Sequence, residues 1–388
     1  MKSNKVCAIL GNISEFNGLG QLVVERPLAT LPFGAKYRLI DFQLSSIANA
    51  NIRNVYTVFR YNEIHSVFDH IGSGKEWGLD TLLNRYFLGF YEDVQLRKDR
   101  GEDYYAQMID YLVKSKSDQT VFLSSNMLAN VDLRTLIQVH KNQGKKLTVA
   151  YKKYSPAQMS TNNTILEICD NSVVGTHYFN PEVDTEDRVN LNMGLFMVET
   201  DWLINQLRGA YKTNAPISLQ YFLSEQLGKE DTATYEYTGY LSNIFDVKSY
   251  YEANMDMLDP AIFNALFFSN NKVYTKVKNE APTYYSKDSH VRSSQFASGS
   301  IIEGTVENSI ISRMVVVAKD ATVKGSIVMP GGKIKSGAIV EYAILDKNVI
   351  VEDGVIIQGT QENPVVIKKG SVITENIIGN APVIVGGI

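Results

Sequence analysis

The residues closest in kind to a phosphate-handling site lie at the start of the chain. Val6-Cys7-Ala8-Ile9-Leu10 reads as a buried strand, and Gly11-Asn12-Ile13-Ser14-Glu15-Phe16-Asn17-Gly18-Leu19-Gly20 as the loop after it. In an α/β domain that loop is where phosphate binds, because free backbone N–H groups gather there. The glycines are present at a spacing that departs from a phosphate loop. The loop holds no Arg or Lys, and Glu15 stands where a phosphate would approach. The nearby cations are Arg26, Lys36 and Arg38, the last two inside Pro32-Phe33-Gly34-Ala35-Lys36-Tyr37-Arg38-Leu39-Ile40-Asp41-Phe42.

The elements that must carry these residues follow from patterning. With 388 residues, 44% hydrophobic and 21% charged, the chain is long enough for two folded domains. A net charge of −4 gives no electrostatic draw towards nucleic acid or an anionic membrane. Cys7 and Cys169 both sit among apolar residues and are expected to be buried, reduced thiols. The start of the chain has no signal-peptide pattern, and no apolar run nears the ~20 residues that span a bilayer. A cytoplasmic protein is expected.

From residue 5 to about 255, short apolar runs alternate with amphipathic ones. Strands are predicted at Val6–Leu10, Val55–Phe59, Thr120–Ser124, Leu147–Ala150, Ile165–Ile168 and Gly194–Val198. Helices are predicted at Asp41–Asn49, Ile64–Ile71, Tyr104–Lys114, Leu133–Gln143, Trp202–Arg208 and Ile217–Gln226. Such alternation implies an α/β, Rossmann-type domain on a mainly parallel sheet. The charged stretch Gly89–Asp103 reads as a solvated loop.

Residues 260–289 form a connector, with the apolar run Ile262–Phe268 set for interdomain packing. From 290 to the end a six-residue step emerges. Ile310, Val316, Thr322, Val328, Ile334 and Val340 are six apart; after a slip, Ala338, Ile344, Ile350 and Ile356 resume the step. Hexapeptide periodicity marks a left-handed parallel β-helix, one aliphatic per hexad pointing inward.

These features together resemble the bacterial ADP-glucose pyrophosphorylases (glucose-1-phosphate adenylyltransferases). The match rests on the 32–42 segment with Leu44-Ser45, on His70-Ile71-Gly72-Ser73-Gly74 with Trp77 and Leu79-Asp80, on Asn192-Met193-Gly194-Leu195-Phe196, and on Tyr250-Tyr251-Glu252-Ala253-Asn254-Met255-Asp256. The resemblance implies a nucleotidyltransferase-like domain over 1–259 and the β-helix behind it. Its chemistry is attack of a sugar phosphate on the α-phosphorus of ATP, with Arg, Lys and Mg²⁺ neutralising charge.

Carried over position by position, the family's chemical groups are missing. The loop Arg becomes Gly18. The Lys of the Arg-x-Lys-Pro segment becomes Leu28. The two metal-binding Asp residues become Asn126 and Asn243, and the sugar-phosphate Lys becomes Asn180. Glu102 adds an acid near the phosphate path. If the register slips by three, Asp246 takes the place of Asn243. The losses run one way: cations facing phosphate are gone, and anions for Mg²⁺ are neutral. The resemblance is therefore nearest to the GlgD-type non-catalytic subunit. It implies no catalytic residue and no cofactor, and a catalytic homologue as partner in a hetero-oligomer, a tetramer by resemblance. An active adenylyltransferase with rearranged ligands, using Mg²⁺, is the alternative; a partnerless sensor of sugar phosphate is a third reading.

Arg26 and Arg38 match arginines that bind phosphorylated effectors in this family; the competing role for Arg38 is an ion pair with Asp41 or with the other domain. Lys36 reads as structural. His65 and His70 are five apart, off one helical face, and do not suit a metal pair. His290 is the sole histidine near the β-helix, so acyl transfer is disfavoured.

Overall fold

The computed structural model describes residues 5–13, 16–80, 85–269 and 271–379. Ser14 and Glu15 of the first loop lie outside them. A nine-stranded sheet organises the N-terminal domain. Its strands run, edge to edge, Arg85–Phe90, Asn54–Phe59, Val6–Gly11, Gln119–Ser124, Val189–Glu199, Leu147–Tyr154, Thr232–Glu236, Ser172–Tyr178 and Thr164–Cys169. Along Val6–Gly11 the side chains alternate between two cores. Val6, Ala8 and Leu10 join Leu44, Ile47, Leu136 and Ile137 on one face. Cys7 and Ile9 join Met108, Tyr111, Leu112 and Leu203 on the other. This period of two places helices on both faces of the sheet.

The expected mainly parallel sheet is corrected to a mixed one. The first four strands are parallel. Val189–Glu199 runs antiparallel to both its neighbours. The far edge is a hairpin of Thr164–Cys169 and Ser172–Tyr178. Strand direction leaves no trace in hydrophobic patterning, because a strand buried on both faces looks the same either way.

Two further expectations change. Gly89–Asp103 is the end of a strand followed by a helix, Tyr91–Asp99, on which Val94 is the buried residue. Its charges are solvated as expected, but on a helix whose acids lie in the first turn and bases in the last, which suits the macrodipole. Cys7 is buried, whereas Cys169 is exposed at the end of its strand, ahead of the left-handed turn Asp170-Asn171.

The C-terminal domain is a left-handed β-helix built from three parallel ladders. Its first strand is Tyr284–Tyr285, inside the stretch read as connector. Through the middle of the β-helix the coil step is seventeen residues, as in Thr322 pairing with Ile339 and Ile339 with Ile356; it is fifteen where His290 pairs with Thr305 and twenty-two where Ile350 pairs with Val372. Inward side chains are Val317, Val323, Val328, Ile334, Val340, Leu345, Val351 and Ile357, at steps of six, five and six. The strict hexad reading is corrected accordingly. Val316 and Thr322 are only half-buried, and Ile310 and Ile344 point outward. One side of each seventeen-residue coil is a residue shorter, so a uniform count of six drifts out of phase.

Those outward residues join the domains. Ile310, Ile327 and Ile344 pack with Leu22, Leu28, Phe33, Phe42, Tyr250 and Tyr251 in a third core. Phe267, from the apolar run of the connector, stacks against Phe263, Tyr37 and Phe42 in the same core. The helix Val247–Met255 clamps the whole. Tyr250 donates to the Pro32 carbonyl at 2.5 Å, and Tyr251 to the Gly325 carbonyl of the β-helix at 2.6 Å. Asn254 accepts from the Gly34 N–H at 3.1 Å, where Gly34 holds a φ of 51° that its missing Cβ permits. No helix among the described residues is long and apolar enough to cross a membrane.

Candidate functional site

The cleft at the carboxyl ends of the central strands is assembled by a short antiparallel pair, Met127–Ala129 with Leu241–Asn243. Asn126 immediately precedes one strand and Asn243 ends the other, so the pairing brings the two side chains together. Asn126 donates its Nδ2 to Asn243 Oδ1 at 3.0 Å. Asn243 donates in turn to Asn163 Oδ1 at 2.8 Å. Ser124 Oγ donates to Asn126 Oδ1 at 2.5 Å. Asn126, Asn163 and Asn243 are all buried, and this amide chain satisfies much of their capacity without any charge.

The cleft has a volume of about 250 Å³. Amides and hydroxyls line most of it, with Phe16, Tyr221 and Phe245 as aromatic walls. Among the described residues that line it, the one charged side chain is Asp246. That carboxylate is engaged: Oδ1 caps the helix Val247–Met255, accepting from Ser249 N and Ser249 Oγ, both at 2.7 Å. Gly18 lies against this cap, bridged to Asp246 in parallel fashion. A Cβ at Gly18 would stand 2.8 Å from the Asp246 Cβ and 2.9 Å from the Phe245 carbonyl oxygen. The loop thus passes too close to residues 245–246 to carry a side chain there.

The other sequence-derived positions are dispersed. Leu28 is buried in the interdomain core. Asn180 is exposed in a turn, its Oδ1 accepting from Glu182 N at 3.0 Å, and does not line the cleft. Glu102 is exposed and also stands outside the lining. Arg26 is 5% exposed; it forms an ion pair with Asp346 of the β-helix, and its Nε donates to the Leu22 carbonyl at 2.8 Å. Arg38 donates to Asp69 at 2.8 Å and to the Ser66 carbonyl at 3.0 Å, while only its backbone N–H reaches Asp41, at 2.9 Å. His70 bonds Asp41 at 2.5 Å, and His65 is exposed, so the two histidines do not converge.

A second cleft, about 220 Å³, lies where the 32–38 segment meets the β-helix. Lys36, Arg38, Lys278, Arg313 and Lys347 line it, against the carboxylates Asp69 and Glu280. Burial, together with the charges of Arg38 and Arg26, lowers the Lys347 amine to about 7. Sequence reasoning missed Lys278, Arg313 and Lys347. Arg313 and Lys347 stand two coils apart on one corner of the β-helix, Lys278 lies in the segment before it, and the docking of the two domains brings them to Lys36 and Arg38.

Residues 20–259 match the nucleotidyl transferase model, and residues 280–365 the GlmU-like C-terminal hexapeptide model. Over 378 residues the chain is 30% identical to glycogen biosynthesis protein GlgD of Geobacillus stearothermophilus, covering 97% of this chain and 99% of that protein. It is 29% identical to the GlgD of Bacillus subtilis (strain 168), covering 96% and 98%. The chain belongs to the nucleotidyl transferase family, in its GlgD branch. Nucleotidyl transfer in this fold implies a divalent cation near the cleft. The donor set does not suit one. A hard dication takes carboxylate oxygens, and the two side chains facing each other here are amides bonded to one another. Among the described residues no group of three His, Cys, Asp or Glu stands together to hold a metal ion.

Proposed function

We propose that this GlgD-branch chain serves glycogen biosynthesis as a non-catalytic regulatory subunit. Its partner is a catalytic ADP-glucose pyrophosphorylase homologue, in a hetero-oligomer that we take to be a tetramer. The observation that carries the reading is Asn126, on the wall of a cleft whose described lining offers no Lys or Arg, bonded amide to amide with the buried Asn243 behind it. Triphosphate transfer concentrates several negative charges, and removing even one group that stabilises developing charge costs a factor of about 10² or more. A cleft whose described lining holds one carboxylate and no Lys or Arg would repel that substrate.

The regulatory part of the proposal rests on the second cleft. Five basic side chains face two carboxylates at a domain junction, which suits a phosphorylated small-molecule effector. An effector bound there touches both domains and would favour one arrangement over another, changing the partner through the shared interface.

The test is to assay pyrophosphate release by the chain alone, by the catalytic homologue alone, and by the mixture, with light scattering of each. The expected result is no turnover by the chain alone, a stable mixed oligomer, and altered kcat or KM in the mixture. Turnover by the chain alone at the rate of an ordinary pyrophosphorylase would overturn the proposal in favour of an active adenylyltransferase.

A further inference from the structure

The amide-lined cleft does not end at Ser224. Through Thr164, Tyr221 and Ser224 it continues into a hollow of about 350 Å³ bordered by His177, Tyr178, Pro216 and Glu225. The two hollows adjoin across these three shared residues and are taken as one groove, each part near the lower end of the size range for small-molecule sites.

The chemistry along the groove is consistent. Each Asn or Gln amide offers two donors and acceptor lone pairs, and each Ser or Thr hydroxyl offers both roles, all without charge. Asn163 and Asn192 are buried at one end. Asn162 is exposed on the lining, and Gln220 accepts from Ser124 Oγ at 3.1 Å. Tyr221, 43% exposed, stands where the two hollows adjoin, and Tyr178, 63% exposed, lines the second hollow with it. Large exposed rings beside polar groups are costly to leave in water and suit a ligand with both apolar and hydroxylated faces. A phosphate would be disfavoured, since it would meet Asp246 and Glu225 and no cation on the lining.

We propose that this groove binds an uncharged saccharide of more than one hexose unit. Tyr221 and Tyr178 pack against ring faces, and Asn162, Asn163 and Gln220 bond hydroxyl groups. The proposal rests on the reading that the cleft does not transfer nucleotides.

The experiment titrates the full chain calorimetrically with glucose, maltotriose, adenosine and glucose 1-phosphate, and separately assays nucleotide turnover. Maltotriose is expected to bind more tightly than glucose, and glucose 1-phosphate no more tightly than glucose. Tyr221→Ala and Asn162→Ala, both at exposed positions, are expected to weaken maltotriose about tenfold with unchanged melting temperature. The proposal is overturned if neither sugar binds, if adenosine or glucose 1-phosphate is preferred, or if both variants bind maltotriose like the parent. Absence of sugar binding with absence of turnover removes this inference alone. Turnover removes the regulatory reading and this inference with it.

Discussion

Asn126 and Asn243, 117 residues apart in the chain, are joined by a 3.0 Å hydrogen bond from amide to amide, with Asn126 on the wall of the cleft and Asn243 buried behind it. Two carboxyl groups in their place would need a bridging cation or a shared proton, because like charges that close oppose joint ionisation. The double variant Asn126→Asp/Asn243→Asp is expected to melt below the parent in EDTA. It should recover with millimolar Mg²⁺ or Mn²⁺, whereas the parent melts at the same temperature in either buffer. Differential scanning fluorimetry reads both. A parent protein stabilised by Mg²⁺ as strongly as the double variant would contradict the donor-set argument.

The Arg26–Asp346 ion pair ties the segment between the short helices Gly20–Val23 and Leu28–Thr30 to the β-helix, with both side chains nearly inaccessible. Removing one partner strands a buried charge. Arg26→Ala or Asp346→Ala is expected to cost about 3–5 kcal/mol. Arg26→Met combined with Asp346→Leu should cost far less. Denaturant unfolding of the four proteins in a double-mutant cycle measures the coupling.

Lys347 carries a clear pH signature. Its folded value of about 7 lies below its ordinary 10.5, so between these values the unfolded chain holds more protons. The stability from this group therefore rises as pH climbs from 7 towards 10.5 and is lowest below 7. Anion binding has the opposite sense, since a charged amine favours it. Sulfate, a dianion throughout, is expected to bind more tightly at pH 6 than at pH 9. Lys347→Met should flatten both trends in melting temperature and in sulfate titrations.

Gly18 runs against Asp246 with no room for a side chain. Gly18→Ala is expected to destabilise by about 1–3 kcal/mol through overpacking. Restoring a family-like Gly18→Arg should disturb the capping of helix Val247–Met255 rather than create phosphate binding. Urea unfolding and ATP titration of the two variants check this.

The seventeen-residue coil makes adjacent isoleucines unequal. Ile357 is fully buried inside the β-helix, and Ile356 beside it is half-buried. Ile357→Ala is expected to cost about 2–5 kcal/mol. Ile356→Ala should cost about 1 kcal/mol or less. Equal costs would return the interior to the uniform six-residue register.

Much of this molecule was legible before any coordinates. The strand Val6–Gly11, the helices Ile64–Ile71 and Leu133–Gln143, and the presence of a hexapeptide β-helix follow from local periodicity, which each segment carries within itself. The neutral residues Asn126 and Asn243 were equally visible, because side-chain type is a property of the letter. Three things were decided only by the tertiary structure. The direction of Val189–Glu199 depends on which neighbours it pairs with. The one-residue drift of the coil depends on which side of the prism is short. The partners of Arg26, and the gathering of Lys278, Arg313 and Lys347 around Arg38, depend on how two domains dock. Periodicity is short-ranged and survives in the sequence. Ion pairs across hundreds of residues are set by packing, and no local pattern encodes them.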